Sequence, residues 1–446
     1  MKKTFLLSCL MLAAMPVMAA YTGHVYVDKN KNGVFDQSEK PLAGIKVSDG
    51  LNVVETAADG SFTLPGHERE RFIFITTPSG YKTFNRHYHK IEKKQSGYDF
   101  GLIPYSGRIR KNGSHRYIHI ADTEIFNTEN HADWVNNVRD YARNEQAAFI
   151  IHTGDICYEK GLKAHIKLMN TENMDCPVFY CIGNHDLVKG KYGEELFESI
   201  YGPVYYSFDA GNVHYVVTPM PGGDHAPGYT SDDVCRWLKN DLAHIRPGTP
   251  VVVFNHDLLT YEDTFIFKSK NAGSINLNEY NLKAWVYGHW HINYMKKQGD
   301  VYSVCTSSLD KGGIDHSTTA FRVMHVDSKG DFTSELRYTY LDKNICIASP
   351  AGVMASGVLP VAVNVYSSVS PVREVLYTCL ADGKPVLKNK RLLQSTDWSW
   401  NGELPLSHKY VGKELTLRVT ARFNNGEIAE AESNFICRTE KALSLI

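Results

Sequence analysis

Carboxylate, amide and imidazole side chains gather in five short segments: Asp122-Thr123-Glu124, Gly154-Asp155, Gly183-Asn184-His185-Asp186, Asn255-His256-Asp257 and Gly288-His289-Trp290-His291. Oxygen donors of this kind beside imidazole nitrogens are what divalent cations require. One such segment alone would say little, because a single Asp or His at a strand end is usually structural. Five in one chain point to a metal centre.

Each segment is preceded by an apolar run: Ile118 to Ile120, Phe149 to Ile151, Val178 to Ile182, Val251 to Phe254 and Trp285 to Tyr287. Short runs rich in Val, Ile and aromatics read as buried strands, so every candidate donor sits where a strand leaves its sheet. Open α/β sheets bind ligands at those carboxyl ends. Between the runs, Trp134, Val138 and Tyr141 share one helical face, as do Val234, Trp237, Leu238 and Ile245. Such helices supply the crossovers that parallel strands need. His119 and His152 lie inside apolar runs and read as buried, hydrogen-bonded core residues.

In order and spacing, the segments across residues 116–330 resemble the calcineurin-like metallophosphoesterase superfamily. Its pattern is Asp-x-His, Gly-Asp, Gly-Asn-His-Asp/Glu, a His after an apolar strand, and Gly-His-x-His. The resemblance implies an α/β catalytic domain, a β-sandwich flanked by helices, holding two divalent transition metals (Mn, Fe, Mg or Zn). Asp155 would bridge the ions, Asp122 and His291 would serve the first, and Asn184, His256 and His289 the second. His185 would be the catalytic acid. A metal-bound hydroxide would attack the phosphorus of a phosphorylated substrate in line, between ions about 3.5–4 Å apart.

The chain departs from that pattern once, reading Asp122-Thr123-Glu124 where the family has His. If Glu124 ligates, a third carboxylate favours hard metals over Zn and weakens the pull on an anionic phosphate. Asp186 and Asp257, each directly after a motif histidine, either orient an imidazole or serve their loops. The glycine loop with Asp315 and His316 could approach the substrate, and Pro219 to His225 reads as a substrate-selecting wall.

Length and composition bound the rest. A chain of 446 residues calls for two or three domains. With 48 basic and 49 acidic residues the formal net charge is −1, which gives no bulk attraction for nucleic acid. Met1-Lys2-Lys3, an apolar stretch from Phe5 to about Met15 and small residues at Ala19-Ala20 fit a secretory signal over 1–20, and no later segment is apolar enough to span a bilayer. The expected location is periplasmic or extracellular, where Cys346, Cys379 and Cys437 become candidates for pairing.

Residues 21–105 alternate as a small all-β sandwich. Its run from Asp28 to Glu39 places Asp28, Asn30, Asn32, Asp36 and Glu39 at positions 1, 3, 5, 9 and 12, with Gly33 at 6 and the Val34 carbonyl at 7. That is the spacing of a twelve-residue calcium loop. Arg108, Arg110 and Lys111 read as a solvated connector before the catalytic stretch, 116–340. Residues 345–446 alternate again as a C-terminal β-sandwich, in which Trp398 and Trp400 could stack on a glycan of the cell envelope or pack in the core. The three-part layout resembles exported metallophosphoesterases of Bacteroides-type bacteria. A rival reading is a non-catalytic metal- and glycan-binding surface protein whose phosphoesterase site has degenerated at Glu124.

Overall fold

The computed structural model describes residues 20–341 and 343–439; the expected signal segment before Ala20, with Cys9, lies outside them. Among the described residues no helix is long and apolar enough to cross a membrane.

The central part is two sheets packed face to face with helices outside. In chain order its elements are β1 (His115–Ile120), α1 (Ala132–Asn144), β2 (Phe149–His152), α2 (Tyr158–Leu168), β3 (Val178–Tyr180), α3 (Glu195–Tyr201), β4 (Tyr206–Ala210), β5 (Val213–Val217), α4 (Ser231–Ala243), β6 (Val251–Phe254), β7 (Leu282–Tyr287), β8 (Tyr294–Gln298), β9 (Val301–Cys305), β10 (Ala320–Val326) and β11 (Phe332–Tyr338). One sheet runs β3-β2-β1-β10-β11 and the other β4-β5-β6-β7-β9-β8. β1, β2 and β3 are mutually parallel, as are β5, β6, β7 and β9. The five donor-bearing strands are therefore divided between two sheets, three in one and two in the other.

Aromatic side chains join those sheets. Tyr117 and Phe149 of the first stack at 4.7 Å, and Tyr215, 5.0 Å from Phe149, stacks at 5.6 Å on Phe254 within the second. All four are fully buried. Such pairs are worth about 0.5–1.5 kcal/mol each beyond their burial. This layer sets how far apart the two rows of strand ends lie. α1 and α4 cover the outer faces with Trp134, Val138 and Tyr141, and with Val234, Trp237 and Leu238.

The N-terminal sheets share the central core. Phe72, Phe74 and Tyr88 belong to the same buried cluster as Phe208 and Trp237. The Asp209 N–H donates to the Thr77 carbonyl at 2.8 Å, so the edge strand β4 is covered. Arg71 pairs with Glu194 at 2.6 Å and Glu198 at 2.9 Å across the same boundary. The stretch 28–39 connects two antiparallel strands, Tyr21–Val27 and Lys40–Pro41.

Three expectations change. Arg108 is no solvated connector: its guanidinium is packed away and donates to the Ala142 and Ala147 carbonyls and to Asp175. None of the eight described cysteines is paired. Cys379 and Cys437 lie on strands that flank a third, Glu414–Phe423, and Cys437 is four residues past Ser433, which lines up with Cys379 through Leu417, so the two are more than two strand spacings (about 10 Å) apart and beyond disulfide reach. Cys346 is exposed on the other C-terminal sheet. The two tryptophans form no common platform, because Trp400 is buried whereas Trp398 precedes the strand and rests against Tyr338.

Candidate metal centre

The strand ends of both sheets open onto one rim, where the turns carry the donors. Asp122, Glu124, Asp155, His289 and His291 all have φ between 44° and 66°. The left-handed region costs a non-glycine residue about 1–2 kcal/mol. Here it turns each side chain inward directly after its strand. The motif glycines allow the turns to touch: a Cβ on Gly183 would stand 2.2 Å from Asp155 Oδ1, and one on Gly288 would stand 2.8 Å from Asp122 Oδ2.

Asp155 is the hub. Its Oδ2 lies 3.1 Å from His256 Nε2, which in turn is 3.2 Å from Asn184 Oδ1 and 4.0 Å from Asp122 Oδ1. Asp155, His256 and His289 bring donor atoms within 4.8 Å of one another, and so do Glu124, Asp155 and His185. His291 Nε2 sits 3.6 Å from Asp122 and 3.5 Å from Glu124. All seven candidate ligands thus fall in one connected group around Asp155.

The electrostatics of this group fit bound cations. Burial drives the Asp122 carboxyl well above its usual range, and the charges of Asp155 and Glu124 push it further, against the pull of His256. Burial opposes a charge on His256, yet Asp155 and then Asp122 hold the ring up to about 9. Anions gathered in a dry pocket draw a positive charge to their centre. The set of carboxylates, imidazoles and one amide suits divalent cations.

Glu124 is not left as a bare third carboxylate. Its Oε2 accepts from Lys311 Nζ at 2.6 Å, and the same ammonium reaches the Glu124 carbonyl at 3.2 Å. Lys311 comes from the glycine loop, whose Ile314 N–H also donates to the His291 carbonyl. That loop meets the site through Lys311, while Asp315 and His316 are exposed, with Asp315 accepting from the Ser317 N–H.

His185 is partly open to solvent, and its Nδ1 is 2.9 Å from Asp224 Oδ2. Burial opposes its protonation, but Asp224 and Asp155 raise its pKa. Asp224 lies in the stretch Pro219 to His225, and Gly223 packs against the Asn184 backbone so closely that a Cβ would stand 2.3 Å from its carbonyl oxygen. Asp186 orients no imidazole. It accepts from the N–H groups of Asp155, Cys157 and Gly183 at 2.8–2.9 Å, tying two donor turns together. Asp257 accepts from Trp290 Nε1 at 3.0 Å. His119 and His152 are buried against Thr153 and Thr123.

Sequence reasoning passed over Asp224 and Lys311. A signal for the second was present: a carboxylate replacing an imidazole calls for a cation nearby, and Lys311 sits in the loop singled out for other residues.

Two family profiles match this chain. The family profile described as calcineurin-like phosphoesterase matches residues 115–293, and that of the N terminal of calcineurin-like phosphoesterase matches residues 29–104. Purple acid phosphatase 13 of Arabidopsis thaliana is 26% identical over 215 residues, 45% of this chain and 36% of that protein. The match thus spans about a third of that relative's length. Among solved structures, a predicted phosphoesterase of Streptococcus pneumoniae is 10% identical with a TM-score of 0.24, covering 51% of this chain and 98% of that one. An engineered protein is 11% identical with a TM-score of 0.19, covering 68% and 80%. Scores this low carry no argument about mechanism.

Proposed function

Because this chain belongs to the calcineurin-like phosphoesterase superfamily, we propose that it is an exported phosphoester hydrolase dependent on two divalent cations. The observation that carries the reading is the gathering of Asp122, Asn184, His256, His289 and His291 around Asp155. In this reading Asp122, Glu124 and His291 would hold one cation, Asn184, His256 and His289 would hold the other, and Asp155 would contribute to both.

When bound, two cations supply Lewis acidity toward phosphoryl oxygens and make water a strong nucleophile near neutral pH. The chain's own part is positioning and proton transfer. Buried turns hold the carboxylates at fixed separation, and His256 is aimed by the bond between its Nδ1 and the Thr153 carbonyl, 2.7 Å away. His185, held at Nδ1 by Asp224, presents Nε2 as the donor to the departing oxygen. Lys311 offsets Glu124, so the replaced histidine does not leave the site one charge more negative. This pairing favours the hydrolase over a degenerate binding site.

The test is turnover of a monoester and a diester of one chromophore under Mn, Mg, Zn and Fe, with metal analysis of the purified protein. Two cations per chain with turnover support the reading; one cation with none under any metal removes it.

The N-terminal loop is proposed as a separate calcium site. Asp28 and Glu39 are buried, and among the described residues their carboxylates accept only backbone N–H groups, those of Asn32 and Gly33 and those of Lys29 and Asp36. Asn30 and Asn32 both reach Asp36. Calcium at about 100 times its Kd is expected to stabilise the protein by about 2.7 kcal/mol, read as a rise in thermal midpoint that Asp28→Asn abolishes. No shift at millimolar calcium overturns this.

A further inference from the structure

Beside His185 stand two aromatic rings that the core does not use. Phe126 is 55% exposed and Tyr158 is 42% exposed. Their centroids are 6.3 Å apart and their planes lie 17° from parallel, so a ring stacked on either one lies nearly parallel to both. Both ride on donor-bearing turns, Phe126 two residues after Glu124 and Tyr158 three after Asp155. The Tyr158 ring lies 5.3 Å from the His185 ring, and its hydroxyl is 3.4 Å from His185 Nδ1. Open rings forgo the gain from burial, and adjoining exposed apolar rings beside a candidate reactive centre mark binding.

The position of the surface decides what it touches. An acid must reach the oxygen that departs, so the group attached to that oxygen extends over whatever lies next to His185. Apart from Asp224, what lies there is the Tyr158 ring, with Phe126 next to it. A planar ring can lay its face on such rings, whereas a short flexible chain such as glycerol has no face to lay there.

We propose that Phe126 and Tyr158 form a stacking surface for the leaving group, which makes the preferred substrates phosphoesters whose departing alcohol carries a planar unsaturated ring, of the nucleoside or aryl type. This rests on the hydrolase reading above and narrows it.

The test compares kcat/KM for adenosine monophosphate, phenyl phosphate and glycerol phosphate, or their methyl diesters, in the wild type and in Phe126→Leu. Leucine keeps an apolar side chain at an exposed position and removes only the ring. Losing a base-stacking contact is expected to lower kcat/KM about fivefold or more for the ring-bearing esters, with glycerol phosphate held within about twofold. Adenosine against phenyl tells which ring is preferred. Equal losses for all three, or none, overturn the proposal. Calorimetry with adenosine and with ribose gives a readout free of turnover: tighter binding of adenosine, abolished by Phe126→Leu, is expected. If no ester is hydrolysed yet adenosine behaves so, the hydrolase reading fails and the ring surface stands. If esters are hydrolysed without regard to rings and adenosine binds no better than ribose, the ring surface alone fails.

Discussion

Glu124 and Lys311 form a unit whose two charges are best judged together. The pair is partly exposed, so solvent screens it and its effect on a nearby anion is modest. Lys311→Met leaves Glu124 uncompensated and is expected to weaken inhibition by inorganic phosphate about two- to fivefold while metal content is kept. Glu124→His with Lys311 intact is expected to do the reverse for phosphate and to shift the metal taken from an equimolar Mn and Zn mixture toward Zn. Unchanged phosphate inhibition and metal content in both variants would show that the pair stands outside the centre. Asp224 is judged by leaving groups. Asp224→Ala should lower kcat about tenfold or more for an alkyl ester, which needs a proton on departure, and far less for a nitrophenyl ester. Equal losses would mean that His185 delivers no proton.

At the scale of elements, the donor turns depend on one another. Asp186 binds three backbone N–H groups from two turns, and Asp186→Ala would leave all three buried without a partner. At about 1–3 kcal/mol for each unsatisfied group, an overall loss of about 3 kcal/mol or more is expected in urea denaturation, with weaker metal retention. A loss below about 1 kcal/mol would mean that the turns hold without it. These turns also show what a sequence makes readable. Strand ends at Asp122, Asp155 and His256 are legible because a buried run followed by a polar donor is a local pattern. The division of those strands between two sheets is no local pattern and enters only through the family resemblance, since pairing partners such as Ile118 with Val323 lie far apart in the chain. Asp224 escaped for the same reason: its partner His185 is 39 residues away, so the stretch Pro219 to His225 reads only as a wall.

The whole molecule carries buried neutral histidines that set its response to acid. Burial pushes His165 down to about 3, and between Trp134, His152 and Tyr180 neither ring nitrogen has a hydrogen-bond partner among the described residues. Its folded pKa lies below the unfolded value near 6.5, so the stability tied to the neutral ring is complete above that pH. It is lost as pH falls toward 3, at about 1.4 kcal/mol per unit. His165→Leu should therefore match the wild type within about 1.5 kcal/mol at pH 7.5 and gain on it by about 2–3 kcal/mol at pH 4.5 in urea denaturation. A constant difference across that range would mean that the ring does not titrate with unfolding. Burial holds His115 at about 4 and His87 at about 3, so both add to the same slope.

His87 packs against Tyr206 and Phe179 across the boundary between the N-terminal sheets and the central ones, and Phe72, Phe74 and Tyr88 lie along the same seam. A gene fragment opening at His115 would bare that seam to water, with an unpaired strand beside it ready to stick to its neighbours. Any shorter cousin of this protein must have repainted the surface around Phe208 and Trp237 with polar residues before it could dispense with the first hundred.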